Sequence, residues 1–98
     1  MTSSEKATIR RMFSDVLTEH GRVKGILTKE SVNPRRSFSK ETDGLDQVQK
    51  MTEVMRKKIE EVLKHDLTDF QEIFLIAKIA CDELHSGLSK IEIDLNKT

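Results

Sequence analysis

Residues 68–95 read TDFQEIFLIAKIACDELHSGLSKIEIDL, and this stretch decides the fold. Phe70, Phe74, Ala77, Cys81, Leu84, Leu88, Ile91 and Leu95 recur at intervals of 4, 3, 4, 3, 4, 3 and 4. An α-helix turns once in 3.6 residues, so this spacing lays an apolar seam along one helical face. A second stripe runs through Ile73, Ile76 and Ala80, and Leu75 and Ile79 occupy the remaining side. From Phe70 to Cys81 the helix is apolar nearly all round, a pattern that belongs to helices covered on more than one face. Thr68 and Gln71 stand at capping-box spacing, with Asp69 in the first turn where the helix dipole favours an acid. Beyond Gly87, Lys90–Leu95 alternates polar and apolar residues, which is also the pattern of a strand. The heptad seam runs through Ile91 and Leu95 and favours helix; a strand or a loose tail is the alternative.

The preceding segment repeats the signal. Leu45, Val48, Thr52, Met55, Ile59 and Val62 follow a 3, 4, 3, 4, 3 spacing over a helix of about 45–64, with Met51 and Leu63 widening the stripe. Only His65, Asp66 and Leu67 separate the two helices, so they form an antiparallel hairpin. At 1.5 Å per residue the first arm measures roughly 30 Å and the second roughly 42 Å. On those lengths Ile91, Ile93 and Leu95 project past their partner. Leaving them exposed forfeits about 1.5–3 kcal/mol each.

A third helix lies upstream. Thr2 and Glu5 form a capping box, and Ile9, Met12, Phe13, Val16 and Leu17 share one face. Gly21 is a natural stop and gives a helix of about 4–20. Val23, Ile26 and Leu27 keep the same phase, so a continuation toward 28 is the alternative, at about 1 kcal/mol for each interior glycine. Residues 28–42 read as a flexible linker. Pro34, the one proline of the chain, forbids a helix through that point and biases Asn33 away from it. The fold expected is all-α, a single 1–98 domain of three helices. Helix 1 folding back over the overhang closes a plain bundle; otherwise another chain covers it.

Composition bounds the function. The chain has 98 residues, 36% hydrophobic and 35% charged, a balance suited to long helices rich in surface or to a partly disordered chain. Net charge is zero, so bulk charge calls for neither nucleic acid nor membrane. The charge is uneven. Up to Lys58 there are 13 Lys+Arg against 8 Asp+Glu, a net of +5; from Ile59 onward there are 4 against 9, a net of −5. Mutual neutralisation within the fold is the plain reading. A single cysteine and the absence of a secretory leader point to a cytoplasmic protein, with the nucleus equally admissible. The apolar run Ile73–Cys81 is too short to span a bilayer.

No constellation carries catalytic chemistry. Cys81 and His85 share a helix face with Asp82 adjacent, but a closed metal site needs about four ligands, and no third catalytic group or glycine-rich loop accompanies the pair. No cofactor, metal or small-molecule substrate is expected, and the chain reads as a non-enzyme. Arg35, Arg36, Ser37 and Ser39 form a basic, hydroxyl-rich loop that suits phosphorylation or an acidic partner. Arg10, Arg11, Arg22 and Lys24 add to a basic N-terminal half, but without Trp or Tyr the chain has little with which to stack on bases. The expected function is a protein–protein interaction module, self-associating or docking a partner helix, with Leu84, Leu88, Ile91 and Leu95 as the contact residues. The alternative is a small regulatory or chaperone-like subunit whose basic half binds an acidic protein or nucleic acid.

Overall fold

The computed structural model describes residues 1–32, 35–66 and 68–97. The helix break expected at Asn33 and Pro34, and the part of the hairpin turn at Leu67, lie outside the described residues. Three helices follow in order: α1 over Ser3–Glu30, α2 over Ser39–His65 and α3 over Phe70–Leu95. Among the described residues there is no strand, so the alternating stretch Lys90–Leu95 is helical. The helices pack side by side in a body 52 × 17 × 16 Å.

The first helix starts as its sequence dictates. Thr2 Oγ1 accepts the amide of Glu5 at 3.1 Å, and Glu5 Oε1 accepts the amide of Thr2 at 2.9 Å. It does not stop at Gly21. It continues through Gly21 and Gly25 to Glu30, because Val23 and Leu27 extend the seam of Ile9, Phe13, Val16 and His20 and are buried with it. Burying such side chains returns about 1.5–3 kcal/mol each, which exceeds the roughly 1 kcal/mol that each glycine costs.

α2 begins six residues earlier than the spacing from Leu45 suggests. Phe38 and Glu41 extend the 3, 4, 3 pattern backward, and both are buried. The arms of the hairpin are therefore nearly equal, at 27 and 26 residues. The overhang expected at the far end of α3 does not exist, and the expected 28–42 linker loses residues 28–30 to α1 and 39–42 to α2. α2 ends at Asp66, whose φ of 54° is left-handed and turns the chain back toward α3. The expected Thr68–Gln71 capping box is displaced by one residue. Asp69 is itself the N-cap and accepts the amide of Glu72 at 2.9 Å.

One core draws on all three helices: Ile9, Phe13, Val16 and Val23 from α1; Leu45, Ile59 and Leu63 from α2; Ile73, Ala77, Cys81, Leu84, Leu88 and Leu95 from α3. Two of the three buried polar side chains among the described residues, His20 and Thr52, bond to backbone carbonyls within it. His20 Nε2–H donates to the carbonyl of Leu45 at 2.9 Å, and the hydroxyl of Thr52 donates to the carbonyl of Val48 at 2.7 Å. Both are satisfied, as buried polar groups must be. The opposite charges of the two halves meet across helices. Arg10 of α1 pairs with Glu60 of α2 at 2.7 Å, and Arg22 of α1 pairs with Glu92 of α3 at 2.8 Å.

Candidate docking surface

The residues expected to meet a partner lie inside the protein. Leu84, Leu88 and Leu95 are buried in the core, and Ile91 is half-buried with its side chain over Gly44. α1 and the longer α2 cover them, so the contact surface expected at this end is corrected to core. Ile93 alone of that stretch stays largely exposed.

The exposed apolar surface is elsewhere. Leu75, Ile76 and Ile79 on α3 are 57%, 55% and 54% exposed. Leu75 and Ile79 each stand two residues from Ala77, which rotates them about 200° away from the core seam. On α2, Val54 is 52% and Met51 41% exposed. Met51 and Val54, with Met55, line a shallow recess of about 300 Å³ whose ends are Lys50 and Lys58.

Met51 lines the α2–α3 groove together with Gly87 and Ile91, and the register of the hairpin sets the heights of the other residues along it. A methyl group on Gly44 would sit 3.1 Å from Ile91 Cδ1, and one on Gly87 would sit 3.6 Å from Val48 Cγ2. These two close approaches fix which residues are level. Stepping along the antiparallel pair from Val48 and Gly87, Lys50 lies level with His85, Val54 with Cys81 and Lys58 with Ala77. The recess on α2 is thus level with residues 77–85 of α3 and overlaps the ridge at Ile79, while Leu75 and Ile76 continue the ridge just past the level of Lys58. Glu72 and Glu83 flank that ridge on α3, as Lys50 and Lys58 flank the recess on α2. Covering the exposed halves of these five apolar side chains is worth roughly 1 kcal/mol each.

The other candidates are engaged within the chain. Arg36 caps the carboxyl end of α3: its guanidinium donates to the carbonyls of Asp94, Leu95 and Lys97, pairs with Glu41 at 3.6 Å and stacks 4.7 Å from the Phe38 ring centroid. A cation there satisfies carbonyls that the helix leaves open. Of the expected acidic-partner loop, Arg36 is therefore committed to the fold, while Arg35, Ser37 and Ser39 are exposed and the two serine hydroxyls lie 3.3 Å apart.

Cys81 and His85 do not form a reactive pair. The His85 Nδ1 atom bonds to Glu19 of α1 instead. Burial, aided by Asp82 and Asp15, pushes the Cys81 thiol up to about 11, so it is protonated and a poor nucleophile near neutrality. A shallow recess of about 240 Å³ borders both residues, but its Lys78 and Asp82 pair with each other at 3.0 Å. Among the described residues no three His, Cys, Asp or Glu side chains are grouped to hold a metal ion. No described helix is long and apolar enough to cross a membrane.

The sequence already showed that α3 is apolar on more sides than one. The ridge was open to detection once the Phe70–Leu95 seam was assigned to the core, because Leu75 and Ile79 then remain on the opposite side. Val54, off the 45–62 seam, carries no such signal in the sequence and enters only through its exposure on α2. Compared with protein-family models, curated proteins and solved structures, the chain matches none of them.

Proposed function

We infer that this protein is a helical protein–protein docking module, and that its contact surface is the outer face of the α2–α3 hairpin. The observation that carries this reading is the ridge of Leu75, Ile76 and Ile79, each more than half exposed on α3, with Met51 and Val54 exposed on the adjoining α2. Single exposed aliphatic residues are ordinary on a protein surface, whereas a clustered patch marks a contact site. The ridge lies outside the core that the three helices share. Ile79 stands three residues from Ile76 and four from Leu75, the i, i+3 and i, i+4 steps with which a helix face packs against another helix.

Two further observations support docking over chemistry. The one thiol is buried and protonated. Arg10, Arg22 and Arg36, half of the basic set that the acidic-partner reading drew on, are occupied by Glu60, Glu92 and the α3 carbonyls.

The test is a photo-reactive amino acid placed at Ile79, with the same group at Thr18 on the outer side of α1 as control, in cells that express the protein. The reading expects a discrete cross-linked protein species from position 79 that disappears when Leu75→Glu is added. Equal labelling from both positions, or no discrete species from position 79, overturns it.

A further inference from the structure

We propose that the occupant of this face is a second copy of the same chain, held in a two-fold dimer whose axis runs parallel to the helices. The proposal rests on the docking reading above and names its partner. The face carries two complementary halves. On α2, a recess of Met51, Val54 and Met55 lies between Lys50 and Lys58. On α3, a ridge of Leu75, Ile76 and Ile79 lies between Glu72 and Glu83. One half is a groove with basic ends, the other a ridge with acidic ends.

The two-fold operators that could join such faces differ in consequence. An axis perpendicular to the helices sets α2 on the copied α2, which brings Lys50 and Lys58 against lysines and the acidic-ended ridge against itself. An axis parallel to the helices sets α2 on the copied α3 with levels preserved. Val54 then meets the Ile79 region of the copy, and Lys50, level with His85, falls within half a turn of Glu83. Lys58, level with Ala77, reaches toward Glu72 on its four-carbon stem. Each contact occurs twice by symmetry, as a closed isologous interface requires. Every neighbouring helix pair in the resulting four-helix layer is antiparallel.

Size is sufficient. A face of a body 52 × 17 Å can supply the roughly 800 Å² per partner of a standard interface. Few large anchors and long flexible lysines make it a weak one, with a dissociation constant on the order of micromolar.

The test is the mass of the intact, purified chain, measured by light scattering or sedimentation equilibrium at concentrations from about 0.05 to 100 μM, a span that brackets that affinity. The expected result is a rise from the 11.3 kDa of one chain to twice that value. Ile79→Glu holds the protein at one chain with its helicity and melting temperature kept, because the side chain it replaces is exposed. Lys50→Glu and Glu83→Lys each weaken the dimer at least tenfold, and the two together restore it. If an Ile79 variant folds poorly, the charge-swap series decides alone. A mass that stays at one chain throughout overturns the proposal, as does a dimer indifferent to Ile79→Glu. A swap pair that fails to rescue overturns the parallel axis. A one-chain mass combined with a cross-link from position 79 to a different protein removes the second copy and leaves the docking reading standing; a one-chain mass with no cross-link removes both.

Discussion

Arg22 and Glu92, separated by 70 positions in sequence, meet in a two-pronged ion pair, each guanidinium nitrogen 2.8 Å from a different carboxylate oxygen. The pair ties the middle of α1 to the last turns of α3. Hydrogen bonding from Arg22 holds the Glu92 carboxyl below the usual carboxylate range, and Arg10 does the same for Glu60. A carboxyl depressed in the folded state contributes stability above its unfolded value, and that contribution is lost as pH falls through the depressed folded value. Stability is therefore expected to decline from about pH 5 downward, and Glu92→Gln should flatten part of that decline. Urea midpoints of the two proteins across this range check it; curves that stay parallel from neutral pH into acid contradict it. The attraction is exposed, so added salt should shrink the difference between them.

The two glycines inside α1 offer a stabilisation. Both are in the helix interior, and a methyl group at either would meet nothing within 4 Å. Gly21→Ala and Gly25→Ala should each add about 1 kcal/mol through helix propensity. Each should raise the melting temperature by about 4–8 °C for a chain of this size. A fall in melting temperature at either position would mean that α1 is not continuous there.

Leu88 and Ile93 are five residues apart on α3 and should respond oppositely. Leu88 is fully buried, while Ile93 is 58% exposed. Leu88→Ala should cost about 2–5 kcal/mol, and Ile93→Ser should stay within about 0.5 kcal/mol. Equal effects from the two, read from denaturant unfolding, would contradict the placement of α1 and α2 over this end.

Legibility in the sequence tracked how many residues voted for each feature. The α3 seam has eight apolar residues in phase, enough to outweigh the strand-like alternation after Gly87. The ends of helices are set by few groups, and there competing signals won. Gly21 looked like a stop because a propensity cost is visible in sequence, while the burial of Val23 and Leu27 that offsets it is not. Glu41 hid the true start of α2, since a charged residue in a seam position reads as solvent-facing until Arg36 is seen beside it. Those six hidden residues lengthened α2, removed the overhang and placed Leu84, Leu88 and Leu95 in the core. Arg36 reads in the sequence as part of a basic loop for phosphorylation or an acidic partner, because nothing local announces that it reaches carbonyls some 58 to 61 positions away.

Cys81 gives a chemical readout of the core. Its thiol is pushed up to about 11, chiefly by burial, against 9.0 for an ordinary thiol. Two pH units correspond to roughly a hundredfold smaller thiolate fraction at pH 7–8. Alkylation by iodoacetamide should therefore be at least that much slower in the folded protein than in urea. Rapid labelling of the folded chain, followed by mass spectrometry, would show that the α1–α3 contact opens readily.

The 52 × 17 × 16 Å outline has a hydrodynamic consequence. Its Cα radius of gyration of 15.8 Å exceeds the roughly 13 Å of a rounded chain of this length. A particle about three times longer than wide meets more friction than a sphere of equal mass. It will elute from a sizing column ahead of globular standards, so elution volume alone would count one copy as more than one. Side-by-side pairing along the long axis, by contrast, thickens the particle without lengthening it. The dimer would then be the rounder of the two species, and frictional ratio should fall, not rise, as copies associate.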